Sequence, residues 1–371
     1  MHVVQVLAAL SIGGSELVAC ELTEYLMTQG HRVTVIAGDG PLAARIQAAG
    51  AAHLAWPIGK KRLRTLRMVG QLRHWLQQQR PDIVHVHSRF PALIVRLAMR
   101  GLAQPPALVS SMHGHYSVNR YSAVMTQADA VLAVSEHMRR YTLRHYPQID
   151  PQRVHTVHGG VDSSRFPHQH QPSADWLQQT HAEFPPLQGK RLLLLPGRLT
   201  QWKGHASFLQ LLQRLLSQRD DVHGVIVGAG RPGSGYIKRL QAQLRDLDIT
   251  QHVTFTGARS DMTDWYALAD IVYNLSDQPP EAFGRTVLEA LSVGTPVLAW
   301  NQGGPAEQLQ QLFPFGLVTP HDLDTLLAKS LQLLTHPQTV AASDAFSLQA
   351  SMAKTLAVYA QLRQPSGDLQ A

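Results

Sequence analysis

The chain has 371 residues, with 33 Lys and Arg against 26 Asp and Glu, and carries a formal charge of +7 although only 16% of its residues are charged. With 44% hydrophobic residues, 27 Gly and 22 Pro, its composition is that of a globular protein, which excludes disorder or a fibrous repeat, and its length suggests two domains. A single cysteine, Cys20, excludes an intramolecular disulfide framework and fits a reducing compartment, and no apolar run reaches the roughly 18–20 residues needed to cross a bilayer.

The opening residues Met1 to Leu10 have an apolar centre but no basic residue ahead of it, so they read as a first strand and not as a secretory signal. Apolar residues at 18, 22, 25 and 26 have helical spacing, closed by Gly30. Alternation continues with strand 31–36, helix 41–49, strand 52–56, helix 65–79, strand 82–87, helix 90–100, strands 106–112 and 130–134, helix 136–145 and strand 153–157. Short Val-, Leu- and Ile-rich strands between amphipathic helices predict a parallel sheet covered on both faces, a Rossmann-like first domain over 1–165.

Residues 166–189 are polar, bear prolines and lack a strand signal, so they are expected to link two domains. A second α/β domain is expected over 190–345: strand 191–196, helix 203–217, strand 222–227, helix 235–245, strand 253–255, helix 262–268, strand 271–274, helix 285–293, strand 296–299 and helix 321–335. A C-terminal helix over 346–363 is expected to pack back on the first domain, followed by a loose tail at 364–371. The fold class is thus α/β, two doubly wound sheets whose strand ends face an interdomain cleft, with function in the strand-to-helix loops.

Three loops carry the chemical signal. Pro280 to Ala290 runs from a strand end into a helix starting near Gly284, with Glu281 just before that helix and Glu289 inside it. Amides at Phe283, Gly284, Arg285 and Thr286 would lack intrahelical acceptors, and with the positive helix end they make a seat for hydroxyls or phosphate; an ordinary helix with acidic residues explains the spacing about as well. Leu195 to Gly204 places Arg198 and Lys203 where both can converge on a diphosphate, although without Gly197 and Gly204 framing them two solvated cations would be the better explanation. Gly13-Gly14 after the first strand permits a close backbone approach, but neither a Walker loop nor the G-x-G-x-x-G fingerprint is present.

Together, Glu281 and Glu289, Gly197-Arg198-Leu199 with Lys203-Gly204, Gly13-Gly14 and the strand Asp82 to His87 resemble the retaining family-4 glycosyltransferases of GT-B fold, a match over almost the whole chain. The passages His113 to Ser122 and Pro172 to Trp176 further resemble the branch that builds bacterial lipopolysaccharide core. The resemblance implies transfer of a hexosyl group, with retention, from a nucleotide diphosphate sugar such as a UDP-sugar to an acceptor hydroxyl, by a front-face displacement with no named general base. It implies catalytic roles for Glu281, Arg198, Lys203 and His113: Glu281 on hydroxyls of the donor sugar, Arg198 and Lys203 on the diphosphate, and His113 on the sugar. It also implies donor-binding roles for Gly14, Arg259, Phe283, Gly284, Arg285, Thr286, Val287 and Glu289, with Glu289 holding the ribose. Two departures stand out: Gly159 occupies a position that is often Asn, and Arg285 one that is commonly apolar or small.

No cofactor and no metal are expected. His85-x-His87 and His113-x-His115 pair imidazoles on strand faces, but no Cys or carboxylate cluster completes a site, and the D-x-D patterns at Asp246 and Asp322 lie outside the strand-end loops. The basic run Lys60, Lys61, Arg62, Arg64 and Arg67, with apolar residues at helical spacing, is either a solvated helix face or a surface for anionic lipid and acceptor. The expected partners are a nucleotide sugar, a lipid-linked saccharide acceptor and the anionic cytoplasmic face of the inner membrane, and not nucleic acid. The alternatives are another surface glycan, such as capsule, O-antigen or glycolipid, as acceptor, or a nucleotide-sugar epimerase or hydrolase on the same fold.

Overall fold

A computed structural model describes residues 1–231 and 233–363, apart from the side chains of Leu63 and Arg64; the expected tail at 364–371 lies outside the described residues. The chain divides into two compact units, Met1–Gly159 with the helix from Leu348 onward, and Gly160–Ser347.

The strands of the first unit are β1 (His2–Ala9), β2 (Arg32–Gly38), β3 (Ala52–Ala55), β4 (Ile83–Val86), β5 (Ala107–Met112), β6 (Ala130–Ala133) and β7 (Val154–Thr156). They form one sheet, ordered β3-β2-β1-β4-β5-β6-β7, and every pair is parallel. Helices α1 (Gly14–Thr28), α2 (Ala43–Ala48), α3 (Met68–Gln79), α4 (Arg89–Met99) and α5 (Glu136–His145) are the crossovers. β4 and β6 are buried along their whole length, as an apolar run covered on both faces must be. The predicted helix over 65–79 starts as a 3-10 turn, Leu63–Arg67, before α3.

In the second unit α6 (Ala174–Glu183) precedes β8 (Arg191–Pro196), α7 (His205–Leu216), β9 (Val222–Val227), α8 (Gly235–Asp246) and β10 (Val253–Gly257). Then come α9 (Met262–Leu268), β11 (Ile271–Asn274), α10 (Arg285–Val293), β12 (Val297–Trp300), α11 (Gly303–Leu312), β13 (Leu317–Val318) and α12 (Leu323–Thr335). The sheet order is β10-β9-β8-β11-β12-β13, again all parallel.

The structure departs from the expected linker at 166–189. That segment carries α6 and belongs to the second unit, anchored by Trp176, whose indole donates to Asp261 at 2.8 Å and packs edge-on against the buried Trp265, and by His170 on Asp264 at 2.7 Å. Its polar composition hid a helix held by a few large side chains and capped by the Ser173 hydroxyl, which accepts from the Trp176 amide.

The last helix, α13 (Leu348–Arg363), is part of the first unit. Met352, Val358 and Tyr359 join the core formed by β1, β2 and α1, and Arg363 pairs with Asp82 at 3.2 Å.

Candidate active site

Each sheet has one point where the strand order reverses, between β1 and β4 in the first unit and between β8 and β11 in the second. At such a point the loops leaving two neighbouring parallel strands diverge to opposite faces and open a crevice at their carboxyl ends.

In the second unit the loops after β8 and β11 carry the strongest sequence signals, and the adjacency of those strands brings them together across 78 positions of sequence. The Lys203 ammonium donates to Glu281 Oε2, forming an ion pair in which the two side chains are only 13% and 18% exposed. Ser276 Oγ donates to the same carboxylate oxygen at 3.3 Å, and the ammonium lies 4.3 Å from the centre of the Trp202 ring. Gly204 has φ +78, and a Cβ there would stand 2.1 Å from the Leu275 carbonyl oxygen, so only glycine lets the loop after β8 lie this close to the loop after β11. The neighbouring His205 is buried and bonded to Tyr236 at 3.1 Å; burial first, and then the Lys203 charge, push its pKa down to about 4.

Arg198, in the same loop, is exposed and its guanidinium has no hydrogen bond or ion pair among the described residues. Arg259 is placed differently: its guanidinium is engaged by both oxygens of Asp261, at 3.0 and 2.9 Å, and by Glu183 of α6, at 3.2 Å. The structure thus ties the Arg259 side chain to carboxylates of its own unit.

The helix expected near Gly284 is α10, capped by Gly284 in the left-handed region, φ +89. The amides of Val287 and Leu288 turn back to the Gly284 carbonyl, at 3.1 and 3.3 Å, which leaves Arg285 and Thr286 at the head of the helix. Glu289 is held from two sides: Tyr266 donates to Oε2 at 2.9 Å, and Arg285 lies 3.5 Å from Oε1. Burial keeps the Tyr266 hydroxyl protonated far above the usual range, so it remains a donor to the carboxylate. Arg285, the departure from the resembled pattern, therefore has a carboxylate partner on its own helix.

Sequence reasoning missed α11, which supports this loop from below. The Gly304 amide donates to the Glu281 carbonyl at 2.9 Å, Gln308 Nε2 to the Phe283 carbonyl at 2.7 Å, and Gln302 Nε2 to the Ser276 carbonyl at 3.1 Å. A Cβ on Gly303 would meet the Glu281 carbonyl oxygen at 2.3 Å, and one on Gly304 the Phe283 Cα at 2.5 Å. Pro305 in the first helical turn and apolar residues at 306, 309 and 312 were the signals that could have found it.

In the first unit, Gly14 begins α1 in open space, with no atom within 4 Å of a Cβ built on it. His113 follows β5, and its Nε2 lies 3.0 Å from Nδ1 of His87 at the end of β4, with the rings stacked. His87 Nε2 reaches Gln5 Oε1 at 2.9 Å, and His85 is bonded to Tyr359 and Ser111. Burial pushes His113 down to about 4, His85 to about 3 and His87 far below the ordinary imidazole range. His85, His87 and His113 are therefore bonded among themselves and to core partners, His115 lies 2.8 Å from His137, and no group of three or more His, Cys, Asp or Glu is arranged for a metal among the described residues. Beside them Arg89, which sequence reasoning also missed, stacks on Tyr116 and Tyr121 and donates to Ser122, organising the loop that follows His113.

Lys60, Lys61, Arg62 and Arg67 are exposed, and the side chain of Arg64 lies outside the described residues. The Lys61 ammonium sits over the Tyr121 ring at 5.1 Å, and Leu66 in the same segment is 45% exposed. A cavity of about 360 Å³ opens here, lined by Trp56, Pro57, Lys60, Arg62, Thr65, Met68 and Gln71. No helix is long and apolar enough to cross a membrane among the described residues.

Comparison with known proteins matches residues 12–165 to the family described as Glycosyltransferase Family 4 and residues 178–347 to Glycosyl transferases group 1. Spore coat protein SA of Bacillus subtilis is 25% identical over 312 residues, 81% of this chain and 79% of that relative. D-inositol 3-phosphate glycosyltransferase 2 of Catenulispora acidiphila is 28% identical over 276 residues, and the match spans 72% of this chain but only 61% of that relative's length. Among solved structures, a glycosyltransferase from Rickettsia africae superposes with a TM-score of 0.84 at 23% identity, over 98% of this chain and 99% of that one. With both sheets, the strand-end loops and these two matched families in agreement, the chain belongs to the glycosyltransferases of GT-B fold, with a family 4 domain in its first half and a group 1 domain in its second.

Proposed function

We propose that the protein transfers a hexosyl group with retention from a nucleotide diphosphate sugar, a UDP-sugar, to lipopolysaccharide core, without a metal or other cofactor. The observation that carries the proposal is the Lys203–Glu281 pair at the strand-order reversal of the second sheet, beside the amino end of α10. Lys203 and the exposed Arg198 neutralise the diphosphate as the glycosidic bond breaks, an electrostatic contribution that needs positive charge fixed in advance. Glu281 orients donor-sugar hydroxyls with the Phe283 and Gly284 backbone, while Glu289, held rigid by Tyr266, binds the ribose. Arg285, Thr286 and Val287 form the helix end facing the donor, the loop of Arg259 meets the base, Gly14 meets the phosphate, and His113 meets a sugar hydroxyl.

Two named neighbours support the donor and acceptor classes. Anabaena Alr3699/HepE, solved in complex with UDP-glucose, superposes with a TM-score of 0.75 at 19% identity, over 97% of this chain and 95% of that one. The lipopolysaccharide core biosynthesis mannosyltransferase LpsB of Rhizobium meliloti is 26% identical over 219 residues, 58% of this chain and 57% of that relative. The exposed Leu66 among cations supports peripheral binding to the anionic inner membrane.

Purified protein is incubated with UDP-hexoses and core acceptors lacking one sugar, and the product linkage is read by NMR. Acceptor-dependent transfer with retained configuration, insensitive to EDTA, is expected, and Lys203→Ala lowers kcat on the order of 10²–10³-fold. Unchanged transfer in Lys203→Ala and Glu281→Ala refutes the site, and release of free nucleotide without acceptor indicates a hydrolase. Core of normal mass from a deletion strain that has lost another surface glycan redirects the acceptor. Cosedimentation with anionic vesicles is expected to weaken with salt and in Lys60→Ala/Lys61→Ala/Arg62→Ala.

A further inference from the structure

The buried chain from Gln5 to His113 has a direction, and that direction constrains the ligand. Gln5 Nε2 lies 3.0 Å from the Ala19 carbonyl and 2.6 Å from Thr23 Oγ1, and the Thr23 hydroxyl itself donates to that carbonyl at 2.8 Å. A carbonyl only accepts, and the Thr23 proton is already committed, so both contacts demand the amide nitrogen of Gln5 and leave Oε1 facing His87. His87 Nε2, 2.9 Å from that oxygen, must then carry a proton. A neutral imidazole protonated at Nε2 is bare at Nδ1, and His113 Nε2, 3.0 Å away, must donate to it. The same rule leaves Nδ1 of His113 bare, and this atom has no partner among the described residues on a ring that is partly exposed. Burial disfavours the charged form of all three histidines nearby, so no imidazolium disturbs the sequence of donors and acceptors.

We propose that Gln5 and His87 are positioning residues that fix His113 in the one tautomer whose outward nitrogen only accepts, so that the transferred sugar must present a proton-donating hydroxyl at His113. The proposal rests on the reading above in which His113 meets the donor sugar. It makes His113 a selector: a position occupied by hydrogen, fluorine or a carboxylate offers the bare nitrogen no proton.

Long-range ¹⁵N–¹H correlation spectra of histidine-labelled protein, with His113→Ala for assignment, report which ring nitrogen is bare. The expected result is a bare Nδ1 and a protonated Nε2 on His113 at neutral pH, with both tautomers populated in Gln5→Met. In parallel, binding of nucleotide sugars is measured with each sugar hydroxyl replaced in turn by hydrogen or by fluorine. At one position both replacements are expected to weaken binding about ten-fold, and that penalty disappears in His113→Ala. A protonated Nδ1 in the native protein overturns the relay whatever the ligand. A bare Nδ1 with no His113-dependent penalty at any position overturns the sugar contact instead, so the two failures are distinguishable, and the spectra stand even if Gln5→Met does not fold.

Discussion

Among the described residues, Lys203 and Glu281 are each other's only close counter-charge in a largely buried place, and this sets what a single substitution costs. Lys203→Met leaves Glu281 without its partner, and a loss of roughly 2–4 kcal/mol in unfolding free energy is expected from urea titration, while the double substitution with Glu281→Gln recovers part of it. Losses that simply add, with no recovery in the double substitution, would contradict the ion pair. Sequence made each partner visible separately, because each lies in a glycine-framed loop after a strand. It gave no access to their pairing, which depends on β8 and β11 being neighbours, nor to Tyr266, whose hydroxyl reaches Glu289 from a helix that carries no motif. His87 was visible as the end of a strand that carries the resemblance and as half of an incomplete metal pattern. Its bond to Gln5, 82 positions away, arises from β1 and β4 being adjacent, which only the folded sheet specifies.

At the level of elements, the helices of the candidate donor site are begun by glycines and not by hydroxyl or carboxylate caps. α7 and α10 start at Gly204 and Gly284, both in the left-handed region, with φ +78 and +89. Gly204→Ala combines that backbone strain with a contact against the Leu275 carbonyl, and a loss of about 2–3 kcal/mol in a thermal or urea melt is expected; a change within 0.5 kcal/mol would mean the loop yields easily. Buried parallel strands were legible because both faces are covered and their sequences are nearly continuous apolar runs. The elements hardest to read were α6 and α11, each built from polar residues around one or two anchors. α13 was legible as an amphipathic stretch, but its weight is carried by Tyr359, fully buried with its hydroxyl 2.6 Å from His85 Nδ1. Tyr359→Ala is expected to cost about 3–5 kcal/mol, concentrated in the first unit and visible as lost amide protection in β1 and β4 by hydrogen exchange.

For the molecule as a whole, the +7 charge resolves into separate populations. Arg198 is exposed in the loop after β8, Lys60 to Arg67 form a surface segment, and Arg259 and Arg285 are paired with carboxylates. The histidines set a different property. His85 and His113 in the first unit and His205 and His223 in the second have pKa values pushed by burial to about 3 or 4, from an ordinary 6.5. The unfolded chain binds these protons more readily, so the stabilisation is complete above about pH 6.5 and is lost as pH falls from there towards 4. Thermal melts across pH should show a plateau above neutrality and a decline below it in both units; a melting temperature independent of pH from 7 to 4.5 would contradict the buried neutral imidazoles.

The first unit is discontinuous in sequence, since α13 supplies Met352, Val358 and Tyr359 to a core otherwise made from residues before Gly159. Residues 160–347 are contiguous and can complete their sheet as they leave the ribosome, whereas the half synthesised first must wait for the last helix. A nascent chain halted after Ser347 should therefore yield a protease-resistant second unit and a digestible first one. Damage to α13 thus harms most the residues that lie furthest from it along the sequence.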